Sequence, residues 1–386
     1  MLKILYLVPN LADPAVARRV DMLRLGGAQI DVAGFRRAGT AVPSLDVETY
    51  LELDETFDAR FAQRMLATVR ARSKVRTWAA RLPRPDVIVA RNLEMLALAS
   101  RLQSFWPGNP PIVYECLDVH RLMLRGDAIG RTMRGAERHW SRQASLLLTS
   151  SPAFVRNYFD IHNALPTEIV ENKVIWDDGE RGGNPALAEA AGDGPVRIGW
   201  FGALRCTRSL QALSGLADAF DGDVEVVLRG RPALTEFDDF PAIVARQKHL
   251  RFDGPYRNPD DLAAIYSDVH LAWAIDFFED GQNSQWLLPN RIYEGCLHGA
   301  IPVALAGTET AAFIAHKGIG IVLPDIAPET LRSMLGGLTR ERLVQLATAV
   351  AAQDTGHFAV NAKACAALVD RLAGLPGTRP ELTEAA

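Results

Sequence analysis

Cysteine is scarce in this sequence. Its 386 residues hold four, Cys116, Cys206, Cys296 and Cys365, with no CxxC pair and no histidine at ligand spacing. That argues against a zinc centre and a disulfide framework, and it suits a reducing compartment. Long apolar runs are missing as well: no stretch approaches the roughly 18 residues a spanning helix needs. The opening segment MLKILYLVP is too short for a signal-peptide core and lacks a small-residue cleavage site. A cytoplasmic chain without a spanning segment is therefore expected. Neither GxGxxG nor GxxxxGK[ST] occurs, and the loop after the first strand, Pro9 to Asp13, contains no glycine. Nicotinamide enzymes and P-loop nucleotide triphosphatases are thereby disfavoured, because both need those glycines for close approach of a pyrophosphate. No DxD string stands at a strand end, so no metal and no resident cofactor is expected. Nucleic acid is a poor partner, since the net charge is −4 and the aromatic residues, 8% of the chain, are not interleaved in a stacking pattern.

What is present points to a globular α/β protein. Hydrophobic residues at 48% and charged ones at 23% are ordinary for a folded domain. The length exceeds the roughly 250 to 300 residues at which one core stops growing, so two domains are expected. Charge divides unevenly between them. Through Lys173 there are 24 basic and 18 acidic residues, a net +6, which leaves 18 against 28, a net −10. Runs of Val, Ile and Leu at 2–8, 29–34, 85–92, 110–118 and 145–151 alternate with helical patterns. The alternation restarts with strands at 196–202, 224–230, 269–275 and 300–305. Continuous apolar strands between helices imply parallel sheets covered on both faces. The Gly-, Asp- and Ala-rich stretch from Trp176 to Pro195 reads as a linker. The expected division is 1–175, 196–355 and a C-terminal helix and tail at 356–386.

In open parallel sheets ligands bind beyond the carboxyl ends of the strands. In the second half that position reads GWFGALRCTRS, where Gly202 would let a phosphate approach the backbone. Arg205 and Arg208, near a helix start, would favour its charge. A tight turn with surface arginines is the plainer alternative. The segment QNSQWLLPNRIYEGCLHGAIPV carries a Pro-preceded helix start. If 290–297 is helical, Asn290 and Glu294 share a face with Arg291 beside Glu294, which suits phosphate oxygens and sugar hydroxyls respectively. A solvated Arg291–Glu294 surface pair is the alternative.

GWFGALRCTRS, FDGPYRNPDDLAAIYSDVHLAW and LPNRIYEGCLHGAIPVA together resemble the nucleotide-sugar domain of GT-B glycosyltransferases, closest to the family 4-like enzymes of bacterial exopolysaccharide assembly. The opening YLVPNLADPAVARRVDMLRLGGAQIDVAGFRR resembles the N-terminus of succinoglycan-type polysaccharide glycosyltransferases. The resemblance covers most of the chain. It implies two Rossmann-like, doubly wound domains facing across a cleft, with the last helix crossing back. It also implies a UDP- or GDP-sugar donor. By this resemblance Gly202, Arg205 and Arg208 contact the donor diphosphate, Arg229, Gly230 and Tyr256 lie near base and ribose, Glu294 binds the ribose, and Asn290 and Arg291 approach the diphosphate. Family 4 enzymes often carry a second Glu eight positions before the ribose-binding one. Trp286 stands there in this chain, with Asn283 and Gln285 as candidate substitutes.

An inverting transfer needs a base for the acceptor proton. Asp118, at the end of the strand PPIVYECLD, is the first candidate, with His120 and Glu115 behind it. The alternative for Asp118 is an N-cap of the next helix. Asn92 and Glu94, just past VIVAR, are candidate acceptor contacts. Between residues 57 and 84, Arg60, Arg64, Arg70, Arg72, Lys74, Arg76, Arg81 and Arg84 accompany Phe57, Phe61, Met65, Val69, Val75, Trp78 and Leu82. This pattern reads as a helix lying on an anionic membrane, or as a helix packed on the sheet with a solvated basic face. Arg121, Arg125, Arg131, Arg134, Arg138 and Arg142 add charge nearby, suited to lipid headgroups or the pyrophosphate of a lipid-linked saccharide acceptor. The leading expectation is a membrane-peripheral glycosyltransferase. A nucleotide-sugar 2-epimerase and a non-catalytic saccharide-binding partner remain as alternatives on the same architecture.

Overall fold

The computed structural model describes residues 1–37, 44–56, 74–176 and 194–378. The chain forms two compact units, Met1–Glu171 with Val360–Ala386, and Asn172–Ala359. Most of the expected linker, 177–193, lies outside the described residues; the division between units falls at Glu171, ahead of it.

In the first unit the strands are β1 (Lys3–Val8), β2 (Gln29–Arg37), β3 (Thr49–Thr56), β4 (Val87–Arg91), β5 (Ile112–Cys116), β6 (Ala144–Thr149) and β7 (Thr167–Ile169). Among the described residues they make one sheet in the order β3-β2-β1-β4-β5-β6-β7, every pair parallel. The central strands β4 and β5 are buried along their whole length, as continuous apolar runs demand. The outer strands β3 and β7 carry polar sequences and escape a pattern reading. Asp13 caps the helix Pro14–Leu25, its carboxylate accepting from Ala15 N at 2.9 Å, with Pro14 at the first helical position. The terminal helix Ala362–Ala373 packs against Pro14–Leu25, and Arg371 pairs with Glu168 at 3.3 Å. Of the expected basic helix, 57–73 lies outside the described residues. The described remainder is the helix Val75–Arg81, where Val75 and Trp78, and Leu82 after it, are buried while Arg76 and Arg81 are exposed. That portion turns its apolar side into its own unit, not toward a membrane.

The second unit opens with β8 (Val174–Ile175) and continues with β9 (Val196–Leu204), β10 (Val224–Pro232), β11 (Leu250–Phe252), β12 (Leu271–Trp273), β13 (Ile301–Leu305) and β14 (Ile321–Leu323). Its parallel sheet runs β11-β10-β9-β12-β13-β14, and β8 pairs with β15 (Ala359–Val360). Trp200 and Trp273 fill the core between sheet and helices. The C-terminal part is two helices, Arg340–Ala351 and Ala362–Ala373, parted by a turn at Thr355–His357. Among the described residues no helix is long and apolar enough to cross a membrane.

Candidate active site

Strand order reverses direction at β9/β12 in the second unit and at β1/β4 in the first. A switch point of this kind leaves a crevice at the carboxyl ends of the strands. At the second unit's switch point Gly202, Gly230 and Tyr256 come together. β9 runs to Leu204, two residues past Gly202, so Gly202 lies inside the strand and faces Gly230 of β10 in register. The backbones meet so closely that a Cβ on Gly230 would stand 1.9 Å from the Gly202 carbonyl oxygen, and Gly230 holds φ +132°. Gly202 has φ +105°, and beside it the Tyr256 hydroxyl stands 3.8 Å from where a Cβ would be. Gly230 N donates to Gly254 O at 2.9 Å, and Arg229 donates to the carbonyls of Gly254 and Pro255 at 3.3 and 3.2 Å. The result is a floor of bare backbone at the sheet end.

The helix Asn290–Leu297, with Pro289 at its N-cap, packs against β12 and β13. Asn290 is exposed, whereas Arg291 and Glu294 are buried, so the solvated surface pair is ruled out. Arg291 donates to Trp273 O at the end of β12 at 3.2 Å. Glu294 receives Asn258 Nδ2 on Oε1 at 2.7 Å and the Tyr266 hydroxyl on Oε2 at 3.3 Å. Burial pushes the Tyr266 hydroxyl well above its ordinary pKa, with Glu294 adding to the shift, so it stays a donor.

The two loop arginines stand at the helix start, each with partners that the sequence alone does not reveal. Arg205 precedes the helix Thr207–Ala219, whose first turn is capped by the Cys206 sulfur accepting from Ser209 N at 3.4 Å, and Arg208 is the second helical residue. Both are held by the loop after β12. Arg205 lies over the Phe278 ring at 4.4 Å and pairs with Asp276 at 3.5 Å; Arg208 lies over Phe277 at 3.8 Å and pairs with Asp280 at 2.8 Å. The run DFFED directly after a strand was the signal for these partners. Asn283, buried, donates to Glu279 of the same loop.

In the first unit, the ends of β1, β4 and β5 enclose a charged cluster. Glu115 is fully buried, with Arg19 at 2.6 Å on Oε1, the Tyr6 hydroxyl on Oε2, and Arg91 at 3.8 Å. Arg91 also pairs with Asp13 at 3.6 Å. Burial alone would raise the Glu115 pKa, but the Arg19 and Arg91 guanidiniums outweigh it and hold the carboxyl below its ordinary value. A carboxylate so engaged is a poor proton acceptor, which removes Glu115 as a base. Asp118 is exposed just beyond β5. It does not cap the following helix: Asp127 does, accepting from Gly130 N at 3.1 Å. His120 Nδ1 accepts from Leu122 N at 3.3 Å. Asn92 starts the helix Asn92–Leu102 at φ +68°, a conformation that asparagine tolerates better than most residues, and Glu94 is buried in its first turn.

Solved structures share this architecture over nearly the whole chain. Sucrose-phosphate synthase from Thermosynechococcus elongatus matches with a TM-score of 0.71 at 13% identity, covering 96% of this chain and 98% of that one. Anabaena HepE, solved in complex with UDP and glucose, matches at 0.65 and 15% identity, covering 96% and 99%. No family model matches the sequence. Fold and site together define a class, the glycosyltransferases of GT-B architecture. Within it the succinoglycan biosynthesis protein ExoL of Rhizobium meliloti (strain 1021) is 49% identical over 386 residues, 99% of this chain and 96% of that protein. The chain belongs to the ExoL family.

Proposed function

We propose that this glycosyltransferase moves a sugar from a nucleotide-diphosphate donor, UDP- or GDP-linked, to a lipid-linked saccharide during exopolysaccharide assembly. The observation that carries the donor half is the Gly202–Gly230 floor together with the buried Glu294 carboxylate, which Tyr266 ties to β9 by donating to Glu294 and meeting the Phe201 ring edge-on at 4.9 Å. The backbone floor admits a diphosphate. Arg291 and Asn290 flank it from one helix. Arg205, whose buried Nε has no hydrogen-bond acceptor among the described residues, and Arg208 supply positive charge. Tyr256 and Arg229 border the base and ribose, Glu294 accepts the ribose hydroxyls, and Asn283 borders the donor sugar. HepE was crystallised with UDP and glucose, a ligand of the chemistry proposed here.

In the transfer, the bond between the sugar anomeric carbon and the diphosphate oxygen breaks and the leaving diphosphate takes the electron pair. The acceptor hydroxyl oxygen bonds to the anomeric carbon and gives up its proton. Positive groups at the diphosphate stabilise the charge as it develops. For an inverting outcome Asp118 is the base. An exposed carboxylate at a strand end can take the proton, while the Nδ1 lone pair of His120 already accepts from Leu122 N. Asn92 and Glu94, at the end of β4, are the acceptor contacts. Attachment to the inner face of an anionic membrane belongs to the same proposal. Its support is the exposed set Arg121, Arg131, Arg138 and Arg142, with exposed Ile129, around the helix Ala128–Ser141.

The test is turnover of a panel of UDP-, GDP- and dTDP-sugars, scored as transfer to membrane extract and as leakage to water. Activity with one donor, lost in Glu294→Ala and Arg291→Ala, supports the reading. Absence of any turnover or nucleotide-dependent stabilisation across the panel refutes it. A C2-epimerised sugar formed without acceptor favours the epimerase instead.

A further inference from the structure

The carboxylate assigned to the ribose does not orient itself. Glu294 sits on the helix Asn290–Leu297, and both of its oxygens are met by side chains of one neighbouring segment. Asn258 Nδ2 donates to Oε1 at 2.7 Å and the Tyr266 hydroxyl to Oε2 at 3.3 Å. That segment is stiff. Arg257 N donates to the Asp261 carboxylate at 2.8 Å, the Arg257 guanidinium returns to the same carboxylate at 3.0 Å, and Asp261 N donates to Arg257 O at 2.9 Å. Asn258 is thus fixed in a turn closed on both sides, directly ahead of the helix Leu262–Ser267 that carries Tyr266. An ionised carboxylate can accept about four hydrogen bonds in its own plane, two at each oxygen. A donor from this segment on each oxygen sets the rotation of that plane and, with it, the directions in which two vicinal hydroxyls can donate.

We infer that Asn258 is a positioning residue: with Tyr266 it locks the Glu294 carboxylate so that the enzyme selects a ribose over a deoxyribose. The inference rests on the reading of Glu294 as the ribose acceptor. Asn258 touches the carboxylate and not the reacting atoms, so its removal acts on sugar discrimination and leaves base and diphosphate contacts in place.

The experiment is calorimetric titration of the full chain with UDP and GDP, each against its 2′-deoxy and 3′-deoxy analogues. The variants are Asn258→Asp, Asn258→Ala and Tyr266→Phe. The wild type is expected to prefer the ribonucleotide by about tenfold or more, the worth of one hydrogen bond to a charged group. Asn258→Asp keeps the shape and replaces the donor with an acceptor. It and Asn258→Ala are expected to narrow the preference to within about threefold while affinity for the deoxy analogues stays within about twofold of wild type. Retained deoxy binding doubles as the control for folding. Tyr266→Phe, which keeps the ring, is expected to narrow the preference in the same sense. Equal loss of affinity for ribo and deoxy ligands in all three variants, or no loss at all, overturns the inference. Glu294→Gln separates it from the reading beneath. If that variant leaves the wild-type preference intact, the ribose role itself fails. If it abolishes the preference while the Asn258 variants keep it, only the positioning role fails.

Discussion

Replacing Gly230 by alanine probes the floor of the proposed donor site through a quantity that needs no substrate. The added methyl would stand 1.9 Å from the Gly202 carbonyl oxygen and 2.8 Å from its carbon, and both are backbone atoms of the paired strand that cannot swing aside. Two costs follow. Holding a residue with a Cβ at φ +132° costs about 1–3 kcal/mol. Prising β9 from β10 to admit the methyl costs another 1–3 kcal/mol or so, the usual range for overpacking. The sum, roughly 2–6 kcal/mol, is a large share of the 5–15 kcal/mol that typically separates folded from unfolded chains. For a unit of this size it lowers the melting temperature on the order of 10 °C. Gly254→Ala is the matched control: its φ is +77°, but a Cβ there meets nothing within 4 Å, so only the conformational cost applies. Thermal and urea unfolding of the two variants is the assay. Gly230→Ala is expected to be less stable than Gly254→Ala by at least about 1 kcal/mol. Equal stability, or a more stable Gly230→Ala, would show that the strands do not approach as described.

Two other perturbations test separate parts of the molecule. Asp280→Asn removes the carboxylate from Arg208 in a pair whose side chains are 56% and 51% exposed, so stability should change by less than about 1 kcal/mol. Nucleoside diphosphate affinity should rise a few-fold as the guanidinium is released, and unchanged or weaker binding by calorimetry would remove Arg208 from the donor site. Glu137 is buried, with the Tyr114 and Tyr158 hydroxyls donating to its oxygens at 2.9 and 2.6 Å, and burial lifts its pKa to about 7 although both hydroxyls pull it down. Its folded pKa therefore exceeds the unfolded one. The stability this confers is full below pH 4.5 and is lost as pH rises through about 7, a change on the order of 2–3 kcal/mol. Urea unfolding of Glu137→Gln should flatten that decline between pH 5 and pH 8.5; parallel profiles for variant and wild type would contradict it.

The readable parts of the fold are those where burial dictates composition. β1 (KILYLV), β4 (VIVAR), β5 (IVYEC) and β9 (VRIGWFGAL) announce themselves as mostly apolar runs, because both faces of a central parallel strand are covered. β3, with TYLELDET, and the three-residue β7, β11 and β14 do not, since an outer or very short strand needs little apolar surface. In the proposed donor site, Gly202, Arg291 and Glu294 could be named from local pattern and resemblance. Their environment could not. Asn258 lies 36 residues from Glu294, and Asp276 and Asp280 lie 71 and 72 residues from the arginines they hold. Such contacts depend on strand order, which periodicity alone does not supply. The same is true of Glu115. Its position at a strand end made it look available, and only the sheet's order brings Arg19 and Arg91 onto it.

The central claim, that a nucleotide-diphosphate sugar is held at the switch point of the second unit, is tested most directly by locating the nucleotide. A crystal structure with UDP or GDP should place the ribose hydroxyls on the Glu294 carboxylate and the diphosphate over the Gly202–Gly230 floor. A nucleotide bound instead at the ends of β1 and β4 in the first unit, or none at the second unit's sheet end at saturating concentration, would contradict it.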